Sequence, residues 1–252
     1  MTPRDDDTDG TTGEDIGGGP TDDDVDGFDN GGGPQGEPDI PALAKQRDVE
    51  TVYQPAEDSE LLATAVIERL EDLKESNGAG PCESDQCRVL DVGTGSGYVA
   101  ARLREQTGAS VVGSDVNPDA CRQAFAAGVA VVRADLVSPF RADSFDVVVC
   151  NPPYLPTPPE QEWDDWMEAA LSGGEDGREM IAPFLDSVGR VLGPRGRAFL
   201  LISTLTGPDE VKQLAREGGL EPTLVEEQSV PFERLQVYEL VPRDEYPGRR
   251  ND

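Results

Sequence analysis

Residues 88–98 read Arg-Val-Leu-Asp-Val-Gly-Thr-Gly-Ser-Gly-Tyr, which predicts an apolar strand, a glycine loop and the start of a helix. Glycines such as Gly93 and Gly95 let the chain turn tightly and let a ligand approach the backbone. The spacing is G-x-G-x-G, not the G-x-G-x-x-G of dinucleotide-binding folds, and Asp91 would repel a pyrophosphate but attract a cationic ligand. The same glycines can also serve only to pack a helix on a strand, so the loop alone identifies no ligand.

Strands and helices alternate along most of the chain. Helices are predicted from residue 57 onward and at 98–106, 118–127, 178–192 and 209–217. Strands are predicted at 88–92, 110–114, 130–133, 145–150, 198–203, 225–228 and 236–241. This alternation predicts an α/β fold with a mainly parallel sheet, helices on both faces and a terminal antiparallel strand. Ligands bind such sheets at the carboxyl ends of the strands.

Acidity is the dominant bulk property of the 252-residue chain, which has 51 acidic and 21 basic residues, three lysines and no histidine. Residues 1–41 hold 13 acids and one base with few large apolar side chains, which predicts a disordered acidic arm before a single domain over 42–252. The domain is acidic too, with 38 acids and 20 bases. This pattern is typical of a halophile's proteins, a dedicated basic partner being the alternative, and it opposes non-specific binding to nucleic acid.

The four cysteines do not predict a metal site. Four residues separate Cys82 from Cys87, but no second pair and no histidine completes a zinc site. Cys121 and Cys150 lie in apolar contexts that indicate buried thiols in a reducing compartment. The sequence has neither an apolar run near the ~20 residues of a membrane span nor a signal pattern, so a cytoplasmic protein is expected.

Acidic residues also follow the next two strands. Asp115 is placed to accept hydrogen bonds from both hydroxyls of a ribose, although it could instead cap the helix that begins near Pro118. Asp135 is placed to accept from an adenine amino group while Leu136 covers the ring, the alternative being an ordinary turn aspartate. Three acidic strand ends and a glycine loop together favour S-adenosylmethionine over any phosphate-bearing cofactor.

Asn151-Pro-Pro-Tyr154 follows the strand at 145–150. Proline fixes φ, cannot donate a hydrogen bond and forces the residue before it into an extended conformation, so this segment is rigid and rich in acceptors. The Asn151 side-chain oxygen and the Pro152 carbonyl can each accept one N–H of a planar –NH2 group and stabilise the positive charge that grows on its nitrogen during methyl transfer. Tyr154 can pack against the substrate or near the sulfonium. The alternative is a rigid turn without a chemical role.

The sequence resembles the HemK-like glutamine methyltransferases, which have a Rossmann-like class I methyltransferase fold, over roughly residues 50–240. The resemblance rests on motifs at Val52–Ser59, Asp91–Gly97, Ser114–Pro118, Ala134–Leu136 and Asn151–Tyr154, with further support from Pro158-Pro159 and 169–179. The segments Tyr-x-Pro-Ala-Glu-Asp and Gly-Gly-x-x-Gly-Arg-Glu are similar to the archaeal–eukaryotic branch of that family.

The resemblance implies methyl transfer to the glutamine N5 of a Gly-Gly-Gln motif in a class 1 peptide-chain release factor. It also implies a heterodimer with a small zinc-ribbon activator protein. The implied cofactor contacts are Ser59, Asp91, Gly93, Gly95, Asp115, Asp135, Leu136 and Asn151, and the implied substrate contacts are Asn151, Pro152, Pro153 and Tyr154, with Asn151, Pro152 and Tyr154 assigned to catalysis.

Three other functions are compatible with parts of the pattern. Adenine-N6 methyltransferases of DNA or RNA share Asn-Pro-Pro-Tyr because the adenine amino group is equally flat and conjugated, but a net charge of −30 opposes them, less strongly in high salt. A non-catalytic subunit that binds the cofactor would not need the intact motif. A nicotinamide oxidoreductase is contradicted by Asp91 and by the glycine spacing.

Overall fold

The computed structural model describes residues 52, 57–75, 80–82, 87–157 and 170–243. The predicted acidic arm, residues 1–41, lies outside these ranges, and its disorder stays a prediction. Within them, no helix combines the length and the apolar character that crossing a membrane requires.

The described ranges contain five helices and seven strands. The helices are α1 (Glu57–Glu75), α2 (Tyr98–Thr107), α3 (Pro118–Ala126), α4 (Ile181–Val191) and α5 (Pro208–Glu217). The strands are β1 (Arg88–Val92), β2 (Ser110–Asp115), β3 (Ala130–Arg133), β4 (Phe145–Cys150), β5 (Leu192–Ser203), β6 (Leu220–Val230) and β7 (Glu233–Pro242). A short 3-10 helix, Thr204–Thr206, follows β5.

The strands form one sheet in the order β3-β2-β1-β4-β5-β7-β6. β7 is antiparallel to both of its neighbours, while the other pairs are parallel. The predicted Rossmann-like α/β fold, mainly parallel with a terminal antiparallel strand, is therefore confirmed.

Side-chain alternation divides the core into two layers, one on each face of the sheet. Val147 and Val149 of β4 pack on the side of α1 and α2, whereas Val148 and Cys150 pack on the side of α4 and α5. All four side chains are fully buried. A central strand covered on both faces needs apolar residues at every position, which is why its sequence is a continuous apolar run rather than an alternating one.

Three strands, β5, β6 and β7, begin earlier than the sequence predicts, β7 by three residues at Glu233. β5 starts at Leu192, which pairs with Phe145, and the register then shifts so that Arg197 pairs with Val147. The Gly193-Pro194 pair, which directly follows the helix predicted at 178–192, thus lies within the irregular start of a strand. β6 starts at Leu220 although it contains Pro222, because β6 is an edge strand, where proline is tolerated.

Three of the four cysteines differ from the sequence prediction in their bonding or their burial. Cys82 and Cys87 form a disulfide just before β1, which the sequence did not indicate and which is uncommon in reducing compartments. Cys150 is a buried free thiol, as predicted, while the free thiol of Cys121 is only partly buried. Its Sγ donates to the carbonyl oxygen of Asp115 at 3.5 Å.

A buried carboxylate ties α1 to the sheet. Glu239 of β7 accepts from Nε and Nη2 of Arg69 in α1, at 3.1 and 2.9 Å, and from Nη1 of Arg197 in β5, at 2.6 Å. Because the Glu239 side chain is only 2% exposed, it has little water to replace a lost partner. Removing Glu239 would therefore leave both arginines without their counter-charge, and removing either arginine would leave the buried carboxylate with one partner fewer.

We expect Glu239→Ala to lower the free energy of unfolding by about 3 kcal/mol, since it leaves two arginines without their buried counter-charge. Urea denaturation at fixed salt measures this. Glu221→Ala is the matched control, because the Glu221–Arg216 pair lies at the surface and should contribute little. Equal losses in the two variants would contradict the role of the buried carboxylate.

Candidate active site

A cavity lies at the carboxyl ends of the parallel strands, where the predicted site residues meet. Those that line it are Ser59, Asp91, Gly93, Gly95, Asp115, Asp135, Leu136, Asn151 and Pro153. Pro152 is buried and Tyr154 is partly buried; neither lines the cavity, and the Tyr154 hydroxyl contacts Asp58 instead. The motif residues 53–56, 158, 159 and 169 lie outside the described residues. The convergence follows from topology, since parallel strands end at one edge of the sheet.

Asp91 near the end of β1 is a buried carboxylate. Its Oδ2 accepts from the Thr94 hydroxyl at 2.7 Å and from the Ala100 amide at 3.2 Å. Burial raises the pKa of Asp91 to about 7; these two hydrogen bonds oppose the shift and the charge of Asp115 adds to it. A cation bound nearby would favour the ionised form, so this carboxylate suits a positively charged ligand.

Two glycines, one in the loop and one in the neighbouring strand, lie where a side chain would clash. In β2, a Cβ on Gly113 would lie 2.8 Å from Oγ1 and Cγ2 of Thr94, so the missing side chain makes room for the threonine that contacts Asp91. At Gly97, φ is +82° and a Cβ would lie 3.0 Å from the Cα of Ala124 in α3. Gly97 therefore serves helix packing, whereas Gly113 makes room for Thr94, which lines the cavity.

Asp115 ends β2 and faces the same loop. Its Oδ2 accepts from the Gly95 amide at 2.9 Å and its Oδ1 from the Asn117 amide at 2.8 Å, while burial raises its pKa. The N-cap of α3 is Asn117, whose side chain accepts from the Asp119 amide, so the alternative that Asp115 caps this helix is wrong. Each carboxylate oxygen keeps a lone pair for a further donor, such as a ribose hydroxyl.

The turn after β3 supplies one polar and one apolar side chain to the cavity. Asp135 is exposed, and Leu136 is partly buried with a φ of +47°, which is uncommon for a residue with a side chain. The Leu136 carbonyl accepts from the Ser114 hydroxyl at 3.4 Å. Val116, directly after Asp115, also lines the cavity. Val116 was not among the predicted site residues, although an apolar residue just after an acidic strand end was a usable signal.

Asn151 follows β4, and its side-chain amide has a defined orientation. Its Nδ2 donates to Oδ2 of Asp58 at 3.2 Å and to the Ser59 hydroxyl oxygen at 3.4 Å. Its Oδ1 is buried and has no hydrogen-bond partner among the described residues. Leaving a buried acceptor without a donor costs about 1–3 kcal/mol. This is the atom that the sequence predicts to accept a substrate N–H.

Asp58 was not among the predicted site residues. It lies in the first turn of α1, is 5% exposed, and contacts both Asn151 and the Tyr154 hydroxyl, the latter at 3.4 Å. An acid in the first turn of a helix is common because the helix dipole favours it there. The sequence therefore gave no reason to separate Asp58 from an ordinary helix-start acid.

The cavity fits S-adenosylmethionine. Its described lining includes Asp91, Asp115 and Asp135 but neither lysine nor arginine. Carboxylates suit a sulfonium, an ammonium, ribose hydroxyls and an adenine amino group, and they disfavour a phosphate.

The affinity for S-adenosylmethionine should rise with pH. A cationic ligand favours ionised Asp91, so binding below a pKa of about 7 requires loss of a proton. We expect the affinity to fall by up to about tenfold per pH unit below that value, measured by calorimetry between about pH 5.5 and 7.5. Asp91→Asn should bind more weakly and show a flatter profile. An affinity of the wild-type protein that does not change over this range would contradict the assignment.

Comparison with known proteins agrees with this geometry. A family model described as a methyltransferase domain matches residues 89–172. A putative protein N5-glutamine methyltransferase of Methanocaldococcus jannaschii is 32% identical over 197 residues, which cover 74% of this chain and 89% of that protein. Human methyltransferase HEMK2 is also 32% identical over 197 residues, covering 74% of this chain and 87% of the human protein.

A solved structure is similar as well. It is the E. cuniculi Mtq2–Trm112 complex, responsible for the methylation of the eRF1 translation termination factor. The matched chain is 30% identical, with a TM-score of 0.59, over 77% of this chain and 99% of that chain. The fold, the lining of the cavity and these similarities together show that the chain belongs to the HemK-like family of class I S-adenosylmethionine-dependent methyltransferases.

Proposed function

We propose that this protein transfers the methyl group of S-adenosylmethionine to the side-chain amide nitrogen, N5, of the glutamine in a Gly-Gly-Gln motif of a class 1 peptide-chain release factor. The observation that carries the proposal is the buried Oδ1 of Asn151, an acceptor without a donor, in a residue that lines the cavity. The M. jannaschii relative supports a glutamine acceptor, and the E. cuniculi relative supports a termination factor as its owner.

The segment Asn151–Tyr154 would hold the glutamine amide by its two N–H groups, one on Asn151 Oδ1 and one on the Pro152 carbonyl. An amide nitrogen is a weak nucleophile because its lone pair is delocalised, so holding it in line with the methyl group removes much of the entropic cost of reaction. When bound, S-adenosylmethionine supplies that methyl group as an electrophile. The two oxygens then stabilise the positive charge on nitrogen until one proton leaves to water.

We also propose a heterodimer with a small zinc-ribbon activator. The E. cuniculi relative forms a complex with Trm112, and this chain has an apolar edge suited to a partner. β3 is an edge strand whose Val132 is 38% exposed, and Phe125 on the neighbouring α3 is 72% exposed. A partner that covers both side chains would remove apolar area from water.

The proposed setting is the cytoplasm of a halophile. A translation factor as substrate supports the cytoplasm. An excess of acids over bases, with three lysines in 252 residues, supports a high-salt environment, in which a strongly acidic surface is tolerated because salt screens its self-repulsion.

Recombinant release factor tests the proposed acceptor. In high salt, with the activator present, we expect methylation of the Gly-Gly-Gln peptide by mass spectrometry and none in a Gln→Ala release factor. Equal labelling of both factors would rule out the glutamine. Adenine-containing DNA and RNA form the second arm, and labelling of nucleic acid alone would favour the adenine-N6 reaction instead.

Two substitutions should separate chemistry from cofactor binding. Asn151→Ala removes one acceptor of the substrate amide, so we expect kcat to fall about 100-fold with little change in cofactor affinity. Asp115→Ala should instead weaken cofactor binding by about tenfold, because it removes acceptors from the ribose site. Calorimetry and initial rates measure the two effects. The opposite pattern would exchange the assigned roles.

A further inference from the structure

The segment Asn151–Tyr154 is called the amide clamp. Its two polar side chains, Asn151 and Tyr154, both contact Asp58, a residue on a distant element. Oδ2 of Asp58 lies 3.2 Å from Asn151 Nδ2 and 3.4 Å from the Tyr154 hydroxyl oxygen. Asp58 precedes Asn151 by 93 residues. The Ser59 backbone amide donates to the other carboxylate oxygen at 2.6 Å, which holds the carboxylate in place.

Asp58 determines which end of the Asn151 amide reaches the substrate. A primary amide has a donor end and an acceptor end of nearly equal shape, and rotation about its last torsion exchanges them. An ionised carboxylate only accepts hydrogen bonds, so it draws the NH2 end of Asn151 toward Asp58 and leaves Oδ1 for the substrate. With the amide reversed, Asn151 would present N–H groups to the N–H groups of the acceptor amide. Donor would then face donor.

Ser59 cannot set this orientation by itself. Its hydroxyl oxygen lies 3.4 Å from Asn151 Nδ2, and the hydroxyl donates to Asp58 Oδ1 at 3.4 Å. Without Asp58 to accept that proton, the hydroxyl could both donate and accept and would tolerate either end of the amide. Among the described partners of Asn151, Asp58 is thus the one that discriminates.

We propose that Asp58 is a positioning residue that fixes the orientation of the Asn151 amide, so that the clamp accepts a nitrogen that carries N–H groups. The identity of that nitrogen rests on the proposed function. The orientation of Asn151 does not, because it follows from contacts within the chain.

Two substitutions of Asp58 separate its chemistry from its shape. Asp58→Asn keeps the shape but can pair with either end of the Asn151 amide. Asp58→Glu changes the length and keeps an acceptor-only carboxylate. We expect Asp58→Asn to lower kcat about tenfold to 100-fold, with cofactor affinity and KM for the release factor within about twofold, and Asp58→Glu to retain more activity. If Asp58 mattered only for packing, the isosteric Asn variant would be the milder one, and that order would overturn the proposal.

A double-mutant cycle adds a second criterion. Once the side-chain amide of Asn151 has been removed, its orientation no longer matters. Adding Asp58→Asn to the Asn151→Ala variant should therefore lower kcat no further. Losses that multiply would show that Asp58 acts elsewhere. Glu57→Gln is the matched control, because it removes a charge from the same turn of α1 at an exposed position and should leave kcat unchanged.

The orientation can also be read without any substrate. The side-chain NH2 signal of Asn151 in a 15N spectrum, identified by its loss in Asn151→Ala, should exchange slowly with solvent in the wild-type protein and in Glu57→Gln, and faster in Asp58→Asn. An unchanged signal in Asp58→Asn would overturn the proposal. Failure of the proposed function would look different, since the wild-type protein would then leave the release factor unmethylated while the signal still responded to Asp58→Asn.

Discussion

The hydrogen bond from Thr94 to the buried carboxylate of Asp91 is the constraint on which the rest of the site depends. It draws the glycine loop over the end of β1, where the Gly93 and Thr94 amides then donate to the Ser114 carbonyl of β2 at 2.8 and 3.0 Å. The loop thereby joins two strand ends and presents its Gly95 amide to the carboxylate at the end of β2. A buried acid with a raised pKa does not help folding, and such groups concentrate where function requires them.

Helix α1 has a comparable role for the amide clamp. Near its middle, Arg69 is bound to the buried Glu239 of the sheet, and in its first turn Asp58 contacts Asn151. Asp58 and Arg69 are 11 positions apart on the helix, or roughly 16 Å at about 1.5 Å per residue. Two contacts that far apart fix both the position and the tilt of the helix. The geometry of the clamp therefore depends on an ion pair remote from the reaction.

Two kinds of feature were predictable from the sequence: strand boundaries set by local patterns, and site residues placed together by the strand topology. The boundaries of β1, β3 and β4 follow from short apolar runs with clear ends, and parallel topology alone places Asp91, Asp115 and Asn151 at one edge of the sheet. The contact between Asp58 and Asn151 was not predictable, because no periodicity relates residues 93 positions apart. The need for glycine at position 113 was not predictable either, because it depends on contact with the Thr94 side chain in the loop after β1.

In the proposed reaction, positive charge leaves sulfur and arrives on nitrogen, which limits what the acidic cavity can contribute. Carboxylates such as Asp91 stabilise the charge at its starting point, and interactions that favour the bound state as much as the transition state do not accelerate the reaction. Catalysis therefore requires acceptors where the charge arrives. Oδ1 of Asn151 is such an acceptor, and the negative charge of Asp58 lies on the other side of the same amide. The orientation of one side-chain amide thus decides whether the charge moves toward acceptors or toward donors.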